Sequence, residues 1–451
     1  MKLSQIAHIL NAKFRGEDKD FTSTVSTDTR TIESENLFVA LQGRHFDAHN
    51  FVKLALERGA LGAIVSHWIE DTTSIPQICV QDTHRALIQL ANYQRNRMKK
   101  VIIVAVTGSC GKTTTKELLA NIFRKKSSNV LTGKKNFNNN IGLPLTLLNL
   151  RARHNYAVVE FGANHPGEIS CLARITRPNI AIVTNAGFAH LEGFGSIKGV
   201  AQAKGEIYQE LSLDQVAIIN NDDPFSNFWR EIAGIRRTIT FACDSTADVT
   251  AQNITINPNG QSIFHLMLPN GETSVIQLSL LGRHNIMNAL AAASAAYSQN
   301  FSIAAIKSGL ENTCAVDGRM VCLKGYRGAI IIDDSYNANP SSVSVAIDVL
   351  STFYGYRLIL VLGDMRELGK DADRLHFNMG ERALQSEIHE LFCYGILTRR
   401  TSEAFGSPYY FDDQKKLLMV LKKRLDASTV VLVKGSCSMN MRNIVWELIK
   451  E

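Results

Sequence analysis

The sequence predicts an α/β protein of three domains, and three observations carry that reading. At 451 residues the chain is too long for one ordinary hydrophobic core. Its central region repeats short, almost wholly apolar runs (VIIVAV, YAVVEFG, IAIVTNAG, VAIIN) separated by helical stretches. A second alternation of the same kind (GAIIIDDS, RLILVLGD, LFCYG, VVLVKGS) fills the last third. Strands apolar along their whole length are those of a parallel sheet covered on both faces, because crossover helices lie on each side.

In chain order, residues 1–82 form the first predicted domain, a small α/β unit. MKLSQIAHILNAKF reads as a short surface helix, and NLFVAL, LGAIVS and PQICV read as strands around the helix FVKLALERG. HRALIQLANYQRNRMKK (84–100) is a connecting helix with one apolar face, leading into the second domain at 83–313. That domain is predicted as a P-loop ATPase-type parallel sheet, with a hairpin region near 240–280 and a strong helix in GRHNIMNALAAASAAYSQ. The phrase ENTCAVDGRM marks the boundary to the third domain, 314–451, with a Rossmann-like alternation. It has no G-x-G-x-x-G, so that topology does not by itself imply a dinucleotide.

Composition narrows the classes of function. The chain is 45% hydrophobic and 20% charged, with a net charge of +7, which is mild for its length. It has no lysine- and arginine-rich arm or basic aromatic stripe, so nucleic acid is not an expected partner. The apolar runs are of strand length, too short to cross a bilayer, and the N-terminus lacks the apolar core of a signal peptide. The eight cysteines include no C-x-x-C pair and no metal-finger spacing. A reduced cytoplasmic protein is the expectation.

The chemistry begins at TGSCGKTTTKE (107–117), directly after VIIVAV. A glycine-rich turn from strand to helix directs backbone N–H groups and the helix dipole toward phosphate. Gly108, Ser109, Gly111, Lys112, Thr113 and Thr114 are the candidates, with Lys112 against the terminal phosphates and Thr113 on Mg²⁺. The usual G-x-x-x-x-G-K-[ST] spacing would place a glycine where Val106 stands, so this loop is tighter than the common form. Glu160 closes a neighbouring strand, where nucleotide sites place a metal-binding carboxylate. His190 follows the strand IAIVTNAG, and on sequence alone it reads equally as a ligand or a structural histidine. Lys204 lies in a helical stretch, where most lysines are solvated charges. There is no N-K-x-D for guanine and no H-R-D or D-F-G set of a protein kinase.

Taken together these phrases resemble the Mur ligase family, the ATP-dependent amide-forming ligases of bacterial peptidoglycan synthesis, in which the tight loop is the usual form. DDSYNANPSS (333–342) is the most diagnostic piece, supported by NFNNNIGLPLTLL, EFGANHPGEI, TNAGFAHLEGFGS and VLGDMRELG. Within the family they look most like the member that adds D-alanyl-D-alanine to a UDP-N-acetylmuramoyl-tripeptide. A sister ligase adding one amino acid to a muramyl peptide or to folate is the alternative. A P-loop ATPase that gates binding or assembly is a third reading.

The resemblance implies ATP and two Mg²⁺ ions as cofactors, a bacterial cytoplasmic location and a monomer. It implies that Thr113 and Glu160 bind one Mg²⁺, and that His190 and a carbamylated Lys204 hold the second. Asn285 and Asn288 match adenine-site positions, Arg319 a nucleotide-contacting arginine, and Asp334, with Asn337 close by, the acid that holds the ribose. Ser26 and Arg30 of STDTR, and Asp47 and His49 of GRHFDAH, match the uridine-nucleotide pocket, while Asn138 and Asn139 match its sugar-phosphate end. Two positions depart from the family pattern. Ala48 stands where glycine is frequent, and Cys437 stands where arginine usually follows VLVKGS. Arg442 is a candidate replacement for that arginine, and an isolated cysteine such as Cys437 is commonly a small buried thiol.

Overall fold

Residues 13–79 build the first of three sheets in the computed structural model, which describes every residue except 23, 44–45, 71–74, 135, 258–259 and 451. Arg44 and His45 of the GRHFDAH phrase lie outside the described residues. The chain divides into two compact units: Met1–Ala105 with Asn129–Gly162 and Ser170–Asn179, and Val106–Ser128 with Ala163–Ile169 and Ile180–Glu451.

In the first unit, strands β1 (Lys13–Arg15), β2 (Val25–Ser26), β3 (Leu37–Val39), β4 (Gly62–Val65) and β5 (Gln77–Cys79) pair in the order β1-β5-β4-β3-β2. Only β1 runs antiparallel. Side chains alternate between the faces of a strand, and here both faces are apolar. Leu37, Val39, Ile64 and Ile78 pack with Leu3 and Ile6 of helix Leu3–Ile9 and with Leu87 and Leu90 of helix Thr83–Arg97. Phe38, Ala63 and Val65 pack on the other side with Val52 and Ala55. This unit also holds most of β6 (Ile102–Thr107), together with β7 (Val130–Thr132) and β8 (Tyr156–Glu160), in the order β6-β8-β7.

The second unit continues with β9 (Ile180–Val183), β10 (Val216–Asn220), β11 (Arg237–Ala242), β12 (Val249–Ile256), β13 (Gln261–Met267) and β14 (Thr273–Leu281), side by side in that order. β9 to β12 are parallel, and β9 and β10 are buried along their whole length; β13 and β14 are antiparallel, and in β14 exposed residues alternate with buried ones. The expected hairpin region is therefore the antiparallel edge of a parallel sheet. The final sheet adds β15 (Val321–Lys324), β16 (Ile330–Asp334), β17 (Arg357–Gly363), β18 (Glu390–Tyr394), β19 (Tyr409–Phe411) and β20 (Thr429–Lys434), ordered β15-β16-β20-β17-β18-β19. All but β15 are parallel. Asp334, Gly363 and Lys434 close β16, β17 and β20, at the carboxyl edge where open α/β sheets bind ligands.

Candidate active site

The phosphate loop is tight because β6 runs on through Val106 and Thr107, both fully buried, before the chain turns. The turn needs its two glycines. Gly108 has φ 145° and Gly111 has φ 85°. A Cβ on Gly108 would lie 2.0 Å from Thr184 Oγ1, and one on Gly111 2.2 Å from Asn288 Oδ1. Gly111 opens helix Lys112–Arg124, so the first N–H groups of that helix face the loop. The loop is tied to the segment after β9: the Ser109 and Cys110 N–H groups donate to the backbone and side-chain oxygens of Asn185, each at 3.0 Å, and Thr184 Oγ1 donates to the Cys110 carbonyl at 2.6 Å. Ser109 Oγ accepts the Gly187 N–H at 2.8 Å.

Lys112 Nζ donates to the Gly108 carbonyl at 2.7 Å, which folds the ammonium over the loop. Thr113 is buried beside it and Thr114 half-buried. Asn285 and Asn288 lie one turn apart on helix His284–Ser298; Asn288 donates to Asn285 Oδ1 at 2.9 Å and accepts from Thr115 at 3.3 Å. The fold thus brings this asparagine pair against the phosphate loop.

His190 sits in the left-handed region (φ 53°) at the start of helix Leu191–Phe194, and its Nδ1 pairs with the Glu367 carboxylate. Phe194 presents its ring edge-on to His190 and lies under Lys204, whose Nζ is 5.4 Å from the ring centroid. Lys204, on helix Ile197–Gln209, is only 1% exposed and is no solvated surface charge. Burial first, and then the Lys112 charge, push its ammonium down to about 7 against the opposing pull of Glu168 and Glu206. A substantial share of Lys204 is therefore the neutral amine near pH 7, the form that reacts with CO₂.

At the edge of the last sheet, Lys434 Nζ bridges Asp334 Oδ2 at 2.5 Å and the Asn337 carbonyl at 2.9 Å. Burial raises the Asp334 carboxyl, and Lys434 and Arg319 oppose that shift. Arg319 lies over the Tyr336 ring, 4.3 Å from its centroid. Asn339 caps helix Pro340–Leu350 and meets Cys110 Sγ at 3.6 Å, while Ser341 Oγ accepts the Phe188 N–H at 3.2 Å. Arg442 is committed to Asp317 at 2.8 Å, and Cys437 is exposed rather than the small buried thiol expected of it.

In the first unit, Glu160 is buried at the end of β8 and accepts from Asn138 Nδ2 at 3.2 Å. Asn139 Oδ1 caps helix Gly142–Leu148, taking the N–H groups of Ile141 and Gly142 at 3.1 and 2.9 Å. Ser26 is buried, and the exposed Arg30 pairs with Asp28 at 2.7 Å. Asp47 Oδ1 lies 2.6 Å from His49 Nδ1, and His49 Nε2 accepts the Ser66 backbone N–H at 2.9 Å. The Ser66 hydroxyl is 3.0 Å from that same nitrogen, but the lone pair there is already engaged, so this is a positioning contact and not a nucleophile relay.

Glu367, Lys434, Asn339 and Ser341 are contacts that sequence reasoning missed. They stand inside quoted phrases, VLGDMRELG, VLVKGS and DDSYNANPSS, but nothing local shows what each would touch.

Comparison with known proteins fits this construction. Residues 106–296 match the Mur ligase middle domain, and residues 318–437 match the Mur ligase, glutamate ligase domain. The UDP-N-acetylmuramoyl-tripeptide–D-alanyl-D-alanine ligase of Escherichia coli is 41% identical over 99% of this chain and 98% of its own. The chain belongs to the Mur ligase family. The Bacillus subtilis relative of the same name is 33% identical over 94% of this chain and 93% of its own. Among solved structures, MurF from Acinetobacter baumannii superposes with a TM-score of 0.92 at 33% identity, covering 99% and 98% of the two chains. The MurF ligase of Thermotoga maritima, solved with ADP, gives 0.83 at 27% identity, covering 95% and 98%. The three-domain α/β fold and the ligase class are those of this family.

Proposed function

We propose that this chain joins D-alanyl-D-alanine to a UDP-N-acetylmuramoyl-tripeptide at the expense of ATP, giving the UDP-muramyl-pentapeptide, ADP and phosphate. The observation that carries the reading is identity of 41% across 99% of the chain to the Escherichia coli enzyme of that name. Residues 1–82 take the uridine end through Ser26, Arg30, Asp47 and His49, with Asn138 and Asn139 toward the sugar phosphate. Residues 83–313 take ATP, and residues 314–451 close on it with Arg319, Asp334 and Asn337. The enzyme acts as a monomer in the bacterial cytoplasm; no helix among the described residues is long and apolar enough to cross a membrane.

The tripeptide carboxylate oxygen attacks the γ-phosphorus, the bond to the β-phosphate oxygen breaks, and ADP leaves. The dipeptide amine then attacks the acyl-phosphate carbonyl, loses its proton, and phosphate departs from the tetrahedral intermediate. Two anions must meet in the first step. Lys112, folded over the loop, and the loop N–H groups offset that repulsion in a partly buried setting where each charge counts for more. Exclusion of water protects the acyl phosphate, and the contacts of Asn339 with Cys110 and Ser341 with Phe188 hold that closure.

The donor set fits magnesium. The Thr113 hydroxyl and the Glu160 carboxylate are hard oxygen donors of the kind Mg²⁺ takes, and phosphate oxygens and water would fill the positions they leave open. Thr113 and Glu160 would supply oxygens for one ion, and His190 and Lys204, once its amine carries a carbamate, would hold the second. Bound there, magnesium neutralises phosphate charge.

The test is phosphate release by the purified chain. It should require ATP, the UDP-muramyl tripeptide and D-alanyl-D-alanine together. Release with a single amino acid or a folate acceptor instead would sink this reading, and release with ATP alone would indicate a gating ATPase.

A further inference from the structure

The phrase VLGDMRELG carries a cation to which the reaction as described gives no task. Arg366 follows β17 at the carboxyl edge of the last sheet. Behind it Asp364 is completely buried. One Asp364 oxygen accepts the N–H groups of Leu397 and Thr398, both at 2.9 Å, and the other lies 3.2 Å from Arg366 Nη2. The carboxylate fits there only because residue 395 is glycine: a Cβ at Gly395 would stand 2.6 Å from it. The Arg366 backbone N–H donates to Ser436 Oγ at 2.8 Å, and the same Nη2 that faces Asp364 reaches Met439 Sδ at 3.7 Å. β17 and β20 close up at this point, since a Cβ on Gly435 would be 3.1 Å from the Gly363 Cα. The guanidinium is thus aimed by a buried carboxylate and two strand ends, yet its side chain is 48% exposed. Among the described residues the hydrogen bonds and ion pairs of the guanidinium run through Nη2. A guanidinium has five N–H donors in a fixed fork, so a planar pair of donors faces outward.

The next residue, Glu367, holds His190, and Gly187, three residues before His190, is bonded to the phosphate loop through Ser109. Arg366 therefore stands at the edge of the reacting centre. The ATP phosphates are met by Lys112 and the loop, and the uridine diphosphate is taken with residues 1–82, which leaves the free carboxylates of the two peptide substrates. Of these the C-terminal carboxylate of the dipeptide belongs to the substrate that attacks second, and a rise in KM for the tripeptide instead would place Arg366 on the other. We infer that Arg366, aimed by Asp364, binds the C-terminal carboxylate of the acceptor dipeptide and sets the preference for a free acid there. This rests on the reaction proposed above.

The experiment measures KM for D-alanyl-D-alanine and for D-alanyl-D-alaninamide, by phosphate release, in the full chain and in Arg366→Gln and Arg366→Lys. In the parent chain the free acid should be favoured. Arg366→Gln should raise KM for the free acid by about 10- to 100-fold, the loss expected for a charged hydrogen-bonded contact. KM for the amide, for ATP and for the tripeptide should stay within about 3-fold, and Arg366→Lys should fall between, because a point charge cannot form the fork. Should Arg366→Gln not fold, the acid-to-amide ratio of Arg366→Lys is read alone and must still shift. An unchanged ratio, or an equal rise for acid and amide, overturns the assignment of Arg366 only. Absence of any dipeptide-dependent phosphate release in the parent chain overturns the reaction itself and this inference with it.

Discussion

Substituting alanine for Gly111 tests how the tight phosphate loop is paid for. Two costs are separable. The first is backbone: a non-glycine residue at φ 85° sits in the left-handed region at about 1–2 kcal/mol. The second is contact: the new Cβ would lie 2.2 Å from Asn288 Oδ1, and that oxygen accepts from Thr115 while its amide donates to Asn285, all within buried surroundings. Moving the amide strains or breaks two such bonds, at about 1 kcal/mol each. Gly167 provides the control. It lies in the same compact unit with φ 84°, and a Cβ there meets nothing within 4 Å. Gly167→Ala should therefore cost only the backbone term, about 1–2 kcal/mol, and Gly111→Ala about 3–4 kcal/mol. Thermal melting followed on the transition of that unit should show drops of roughly 2–3 °C and 5–6 °C, at about 1.6 °C per kcal/mol for its size. Adding Asn288→Ala to Gly111→Ala removes the contact and should restore part of the difference relative to Asn288→Ala alone. Equal melting losses in Gly111→Ala and Gly167→Ala would refute the reasoning.

Other expectations follow from the same geometry. Lys112→Ala should lower ATP-dependent phosphate release by at least about 100-fold with an unchanged circular dichroism spectrum, because its ammonium donates to the Gly108 and Ser109 carbonyls of the loop. Lys434→Met should destabilise by about 3–5 kcal/mol, since it strands the buried Asp334 carboxylate; pairing it with Asp334→Asn should recover most of that loss in urea unfolding. His284 is pushed down to about 4, first by burial and then by Lys434. Its folded value lies below the ordinary one, so between about 6.5 and 4 the unfolded chain binds the extra proton and stability falls as pH falls. The slope this histidine contributes is up to about 1.4 kcal/mol per pH unit, and a His284→Gln variant should lose it in melts taken across that range.

Much of the chain declared itself in one dimension. Fully buried parallel strands such as Ile180–Val183 and Val216–Asn220 are unbroken apolar runs, and they appear within a few residues of their expected places. The strands that escaped notice are at edges or half-solvated. Val130–Thr132 is only partly buried, Val321–Lys324 alternates with exposed residues, and Tyr409–Phe411 is three residues long. An edge strand covers little apolar surface, so its composition resembles that of a loop.

The candidate site divides the same way. A phosphate loop is contiguous, so its glycines, lysine and threonines can be read from adjacent positions. The environment of Lys204 cannot, because helix Ile197–Gln209 has a polar-looking sequence around it and burial is decided by what packs on that face.

By itself the sequence determined the alternation of strands and helices, the phosphate loop and the family to which the chain belongs. These are written in local periodicity and contiguous phrases. Tertiary structure decided which of the charges are coupled. His190 meets Glu367 across 177 positions, Lys434 meets Asp334 across 100, and Cys110 meets Asn339 across 229. It also decided that Lys204 is buried and that Arg366 is aimed by Asp364. Residues so distant in sequence become neighbours only when parallel sheets bring the carboxyl ends of their strands to one edge, and the free energy of a charge depends on its neighbours and on its access to water.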